Sequence, residues 1–367
     1  MSWRSLTLDK KAGTVPAKGA TPAAPAPGGA RPRMADVAAR AGVSLSTVSY
    51  ALSRRRPISE ETRQRVLAAA SALGFHSNSL GRNLAAKRSN LVAVVVGLQA
   101  TTAYADPYFT DTLRGAAAVA GANAYLLTLV PVPPEQRLAE VCLELWRQRR
   151  IDGCLLTAVA SDDDSLSVLQ TEGLPFVLLG SAPGLPNILA VEVDNYDGAH
   201  RITQLLLDLG HRQLAHIAGP QRLAGEREVQ RGFLAAMSGA ATPAPRIIEG
   251  DATMRSGYDA ARELLRANRP TAIMCGNDLM ATGAVQALQD AGVRVPQEVS
   301  VTGRDDAPVA SILRPRLTTL RKPVAEIGAE AMRMLLDQMR GQLPRPLMRI
   351  HRLELIERES TGPVPER

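Results

Sequence analysis

The stretch 36–52, DVAARAGVSLSTVSYAL, decides how the N-terminal part of this chain folds. Val37, Ala38 and Ala41 recur at helical spacing, so a first short helix has one apolar face. Gly42 supplies the positive φ that a sharp helix end requires, and Val43 can drop into the core beside it. Ser44 suits the N-cap of a second helix, because its hydroxyl can accept an orphan backbone N–H. Val48 and Leu52, four residues apart, face inward. Leu45, Ser46, Ser49 and Tyr50 are left on the outer face. Two helices around a tight turn, with a polar outer face on the second, have the geometry of a helix-turn-helix whose second helix enters a DNA major groove.

Charge supports that expectation. Residues 31–90 carry 11 Lys or Arg against 3 Asp or Glu, a net of +8, whereas the whole chain carries 43 against 36. Residues 91–367 are net negative, at 28 against 32. Positive charge is thus gathered around the helix-turn-helix, as phosphate contacts demand. Arg54 and Arg55, in the basic loop 53–57 (SRRRP), are placed to sit on phosphate. Ser59 begins a third helix, in which Glu60 and Glu61 complement the dipole. Val66, Ala70 and Leu73 line its inner face, and Phe75 closes the core after Gly74.

The sequence resembles LacI/GalR-type transcriptional regulators. The blocks that carry the resemblance are DVAARAGVSLSTVSYAL (36–52), SEETRQRVLAAASALGF (59–75), NSLGRNLAAKRS (78–89), DPYF (106–109), VDNYDGA (193–199), LGHRQLAHIAGP (209–220), NDLMATGAVQAL (277–288), GVRVPQEVSVTGRDD (292–306), PRLTTLRKPV (315–324) and LIERESTG (355–362). They follow the family's order and span nearly everything from Met34 to Thr361. The resemblance implies a hinge helix at 78–86, capped by Asn78. In the family this helix pairs with its mate from a second subunit, and a leucine wedges into the minor groove; here that residue is Leu84. Gly81 inside the helix costs roughly 1 kcal/mol relative to Ala, and Ser77 stands where the family often has Pro. The hinge helix is therefore expected to fold only when paired on DNA.

From residue 91 the period changes. LVAVVV (91–96) is the continuous apolar run of a buried parallel strand. Helix candidates at 109–122, 135–149 and 163–172 alternate with strand candidates at 124–130, 152–159 and 175–180. A second alternating series starts near Val191. Two doubly wound α/β lobes in tandem follow, and the cleft at the carboxyl ends of their strands is the default ligand site. The expected fold is an N-terminal all-α helix-turn-helix head followed by an α/β regulatory domain of two doubly wound lobes, which resembles a periplasmic binding protein. The expected organisation is a disordered arm (1–33), the head (34–75), hinge and linker (76–90), an effector-binding and dimerisation domain (91–361), and a tail (362–367). Lobe 1 is placed at about 91–189 and 319–346, and lobe 2 at about 190–317 and 347–361.

On DNA, Leu45 suits a thymine methyl, and Ser46 and Tyr50 can bond base edges. Thr47 and Ser49 are expected to hold phosphates. Many family members have Arg at position 50. A head this small buries too little surface for specific affinity, so a homodimer on a near-palindromic operator in double-stranded DNA is expected. For the effector, the resemblance implies that Asp278 bonds ligand hydroxyls and that Asp106, Tyr108 and Phe109 line the cleft. Two other polar anchors of sugar-binding relatives are replaced here, by Val229 and Gly180. The expected effector is a small sugar or nucleoside-like molecule.

Other classes are disfavoured. No apolar run approaches the length of a membrane span, and the N-terminus reads as lacking a signal peptide, so the protein is expected to be cytoplasmic. Cys142, Cys154 and Cys275 are odd in number and far apart, which fits a reducing compartment. His200, His211, His216 and His351 lack paired ligand spacing and read as structural, so neither metal nor cofactor is expected. No P-loop, GxGxxG or nucleophile elbow is present, so no enzymatic activity is expected. Two alternatives remain open. One is a DNA-binding regulator with a vestigial cleft, controlled by a protein partner or not at all. The other is a solute-binding protein or cleft enzyme.

Overall fold

The computed structural model describes residues 32–53, 56–75, 88–97, 107–133, 135–181, 185, 187–240, 242–266 and 269–365. The chain divides into two compact units, one ending at Gly81 and the other beginning at Arg82.

The first unit is built on three helices, α1 (Met34–Ala41), α2 (Leu45–Ser53) and α3 (Glu60–Ala72). Its core is Val37, Ala38, Ala41, Val48, Ala51, Val66, Ala69 and Ala70, with Val43, Leu52, Leu73 and Phe75 packed against it. Small residues dominate because three short helices meet at close range. Gly42 ends α1 at φ 65°, and the N–H of Val43 bonds the carbonyl of Ala38. The Ser44 hydroxyl accepts the N–H of Thr47 at 3.1 Å, and that of Ser59 accepts Thr62 at 3.3 Å. Both caps stand where the sequence places them.

The second unit carries two parallel sheets. The first has six strands in the order β11-β5-β4-β3-β1-β2: β1 (Leu91–Val96), β2 (Leu126–Val130), β3 (Gly153–Thr157), β4 (Phe176–Leu179), β5 (Ala190–Val193) and β11 (Met348–His351). The second has the order β7-β6-β8-β9: β6 (Leu214–Ala218), β7 (Arg246–Glu249), β8 (Ala272–Cys275) and β9 (Ser300–Thr302). Helices α4 (Pro107–Ala122), α5 (Leu138–Arg147), α6 (Ser165–Glu172) and α12 (Val324–Met339) accompany the first sheet. Helices α7 (Asn195–Asp208), α8 (Ala224–Ser238), α9 (Met254–Arg266), α10 (Asp278–Asp290) and the short α11 (Pro308–Ile312) accompany the second. Strand side chains serve two cores in alternation. Val92, Val94 and Val96 enter one cluster, while Ala93 and Val95 enter the other, with Leu138 and Leu169. Ala272 and Met274 likewise separate from Ile273 and Cys275.

The lobe boundaries differ from expectation. β5 and β11, placed in the second lobe by sequence, both join the first sheet, pairing with each other in parallel. The segment 349–356 runs as two strands. It breaks at Leu353, which is buried against Gly198 of α7, and resumes as β12 (Glu354–Ile356), antiparallel to β10 (Thr319–Arg321). Bridges Thr302–Thr318 and Asp305–Arg321 set the segment around β10 beside β9. The 317–320 segment therefore stays with the second lobe rather than crossing to the first, and the crossing follows it, into α12.

Helix pairs approach closely through glycine. A Cβ on Gly115 of α4 would lie 1.9 Å from the Ala325 carbonyl of α12, and one on Gly328 would lie 2.0 Å from that of Thr112. The α9–α10 pair repeats the device with Gly257 and Gly283, the latter 1.9 Å from the Met254 carbonyl. The obstacle is backbone, so a methyl group there forces the helices apart. Gly283→Ala is expected to cost about 1–3 kcal/mol, read as a lower urea midpoint with an unchanged slope.

The histidines named above are tied into the structure. His216 is fully buried, its Nδ1–H donates to the Met274 carbonyl at 2.9 Å, and burial pulls its pKa down to about 4. His211 Nε2 lies 3.0 Å from both Ser300 Oγ and the Gly362 carbonyl.

Candidate nucleic-acid interface and ligand cleft

In α2 the residues named from sequence separate by face. Val48 and Ala51 are buried, while Leu45, Ser46 and Ser49 are exposed and Thr47 and Tyr50 half-buried. Leu45 is 54% exposed. A large apolar side chain at the start of a short helix, turned away from its own core, is available for a partner surface. Ser44 Oγ lies 2.7 Å from Ser46 Oγ and 2.8 Å from Thr47 Oγ1, which fixes the first turn. The Arg56 guanidinium sits over the Tyr50 ring at 5.4 Å. Arg65 donates to the Ala41 carbonyl at 3.2 Å and so closes the end of α1. Arg54, Arg55, Asn78 and Leu84 lie outside the described residues.

The second unit holds a cavity of about 180 Å³ at the carboxyl ends of its strands. One wall is Thr157, the β4 end with Gly180 and Ser181, and Glu192 of β5; the other is Leu223–Glu226 and Arg304. At its mouth the two lobes touch. Ser161 bonds the Arg222 carbonyl through N–H at 2.9 Å and hydroxyl at 3.0 Å, and Arg227 donates to Ser161 Oγ at 2.7 Å. Arg222 pairs with Asp162 at 3.2 Å. Inside, Arg304 is only 6% exposed. Its Nε donates to the Gly276 carbonyl at 2.6 Å, one Nη to Asn195 Oδ1 at 2.7 Å, and the other to Glu226.

Of the effector residues expected from sequence, Asp278 and Phe109 do not line this cavity. Asp278 is buried and does not line it. Its carboxylate accepts the Thr319 hydroxyl at 2.6 Å and the Ala307 N–H at 2.7 Å, so it fastens β10 and the loop after β9 to the start of α10. Nor does it cap α10: Asn277 does, accepting the Met280 N–H at 2.8 Å. Phe109 is 6% exposed within the apolar core. Val229 is wholly buried in the same core. Asp106 and the side chain of Tyr108 lie outside the described residues. Sequence reasoning passed over Glu192, Asn195, Glu226 and Arg304. Asn195 and Arg304 stand inside quoted blocks, so their positions carried a signal, whereas Glu192 and Glu226 looked like ordinary strand and helix charges.

Comparison with known proteins places both units. The family described as bacterial regulatory proteins, lacI family, matches residues 33–78, and the periplasmic binding protein-like domain matches 203–361. The HTH-type transcriptional regulator CelR of Thermobifida fusca is 32% identical over 335 residues, which cover 90% of this chain and 98% of that protein. The chain belongs to the LacI family of transcriptional regulators.

Further relatives align along most of this LacI-family chain. The repressor CytR of Escherichia coli (strain K12) is 33% identical, across 90% of this chain and 97% of its own length. Among solved structures, the Lac repressor dimer bound to operator and an anti-inducer superposes with TM-score 0.81 at 26% identity, covering 91% of this chain and all of that one. The CelR–cellobiose complex does so with TM-score 0.69 at 31% identity, covering 90% and 100%. No described helix is long and apolar enough to cross a membrane.

Within this LacI-family chain, Asp278 has a measurable signature. Burial first, then the neighbouring Asp305 carboxylate, push its pKa from 3.8 up to about 7. A carboxyl with a raised folded pKa binds its proton more tightly when folded. Its contribution to stability is therefore complete below about pH 4 and is lost as the pH rises through about 7. Urea midpoints taken at about pH 4.5 and about pH 7.5 should fall more for the natural chain than for Asp278→Asn. Equal falls would show that the group titrates normally.

Proposed function

We propose that this protein is a sequence-specific DNA-binding repressor that acts as a homodimer on a near-palindromic operator in the cytoplasm, and whose operator affinity is set by a small sugar or nucleoside-like effector in the inter-lobe cleft. The observation that carries it is the outward face of α2. Leu45, Ser46 and Ser49 project from a helix whose other face is fully used in the core, on the most basic part of the chain. Leu45 meets a thymine methyl, Ser46 and Tyr50 reach base edges, and Thr47, Ser49, Arg54 and Arg55 hold phosphates. The operator in the Lac repressor complex and the cellobiose in the CelR complex support both halves of this reading. No enzymatic activity is proposed.

Control follows from differential affinity. A ligand that favours one degree of lobe closure shifts the population of that state, and DNA affinity changes by the same coupling free energy. Ser161, Asp162, Arg222 and Arg227 meet across the cleft mouth and are the contacts that such a shift makes or breaks.

One observation favours a second reading. The sequence-expected anchors are a buried valine, a bare glycine and an aspartate already engaged within the protein, which suits a cleft that no longer takes ligand. A thermal-shift screen of sugars and nucleosides on the full-length chain separates the two. A saturable rise of several degrees supports effector control, and no rise with any compound supports the second reading.

A further inference from the structure

Resting on the reading of the chain as a dimer on a two-fold operator, we infer that Asp152 sets the half-site spacing that the protein accepts, by clamping the chain at Ser89 and Asn90, at the lead-in to β1. It is a positioning residue, acting through the chain it holds. Phe75 packs at the end of the head's core, and only residues 76–88 separate it from the clamp. The clamp is one carboxylate used on both oxygens. Oδ1 accepts the Ser89 N–H at 2.8 Å and the Ser89 hydroxyl at 3.0 Å, and Oδ2 accepts the Asn90 N–H at 2.9 Å. The Ser89 hydroxyl in turn accepts the Leu91 N–H at 3.1 Å. Asn90 takes φ 58°, a left-handed conformation that asparagine tolerates better than most residues. Its carbonyl accepts the Leu126 N–H at 3.0 Å, and the Asp152 N–H donates to the Leu91 carbonyl at 2.8 Å. The buried Tyr125 hydrogen-bonds the same carboxylate; burial, then that carboxylate, push its phenol up.

The strand itself does not require this clamp. The ladders of β1 to β2 and β3 begin at Leu91 and Val92 and continue along the strand. The clamp lies upstream of both and holds backbone that precedes the sheet. It joins residues 62 and 63 apart in sequence, so Ser89 and Asn90 take their direction from the first lobe rather than from the segment before them. The consequence is one of reach. A dimer gains from two heads only where the tethers let both engage at once. Releasing residues 89 and 90 lengthens each tether by up to about 7 Å, which matches about two base pairs at about 3.4 Å each. A held clamp therefore makes one spacing much better than its neighbours, and a released clamp brings the neighbouring spacings level with it.

The test uses a two-fold operator selected from random duplexes with the natural full-length chain, together with versions that have one or two base pairs added to or removed from the centre. The natural chain is expected to bind each altered duplex at least about 100-fold more weakly than the original, the avidity lost when only one head engages. Asp152→Ala is expected to bind the original duplex about three- to tenfold more weakly than the natural chain does, and to lose less than about a further tenfold on the altered ones. Asp152→Asn, which keeps one acceptor oxygen, should fall between the two, and it carries the comparison alone where Asp152→Ala does not fold. A role confined to the stability of β1 would lower binding to every duplex in the same proportion and leave the spacing penalty unchanged. That result overturns the inference, as does a natural chain that binds all spacings alike. Failure to select any two-fold motif overturns the operator reading itself.

Discussion

Changing Leu45 and Ser46 together to alanine is expected to weaken binding to a selected operator by about 1,000-fold or more, since each base contact carries about 1–3 kcal/mol and a dimer uses each twice, at least about 4 kcal/mol in all. The thermal midpoint should not move. Both side chains are exposed, Leu45 at 54%, and the cap of α2 rests on Ser44 and the Thr47 N–H, which the change leaves in place. Alanine is also a better helix former than serine. Binding to random duplex should persist, because it depends on Lys and Arg that are untouched, and should keep its slope against salt. A parallel loss of specific and non-specific binding would mean that the head had unfolded or that α2 does not read bases.

The second large effect concerns Arg304. Replacing it with alanine is expected to destabilise the second unit by about 3–5 kcal/mol, the usual result of stranding one partner of a buried ion pair. The guanidinium side chain is 8% exposed and its Glu226 partner 14%, so solvent cannot rescue the stranded carboxylate. Arg304 also ties the β9 end to Gly276 and Asn195, so the loss reaches the floor of the cleft. The double change Arg304→Met with Glu226→Leu should recover most of the stability, because removing both charges removes the burial cost of each. Urea titration of the three chains at one pH checks this. If Arg304→Ala costs less than about 1 kcal/mol, the pair behaves as a surface pair and the cleft is wetter than described.

Much of the fold was legible because its signals are local. The run 91–96 names a buried parallel strand by composition alone, and β1 occupies those six residues. Gly42, Ser44 and Ser59 mark helix ends by conformation and hydrogen bonding, and each takes that part. What stayed hidden was set by partners distant in sequence. Nothing in AVEV (190–193) says which sheet it joins; its neighbours Leu178 and Leu179 on β4 and Met348 to His351 on β11 decide that. Leu353 looks like any strand leucine, and only Gly198, far from it in the chain, makes it the plug between β11 and β12.

The cleft was less legible than the head for the same reason. A helix-turn-helix presents its contact residues on one short helix, where spacing sorts inside from outside. The cavity draws Glu192 with Asn195, Glu226 and Arg304 from three separate stretches of the chain. Asp278 shows the hazard of carrying a role across by position: the residue is there, but Thr319 and the Ala307 N–H already hold its carboxylate.

The central claim is that a basic three-helix head reads duplex sequence through the outer face of α2. Its most direct test is repeated selection from a pool of random duplexes with the full-length chain, followed by sequencing of what it retains. A two-fold-symmetric motif with half-sites about one helical turn apart, absent when the Leu45→Ala, Ser46→Ala chain is used, is the predicted result. Retention without any enriched motif, or the same motif with both chains, would contradict it.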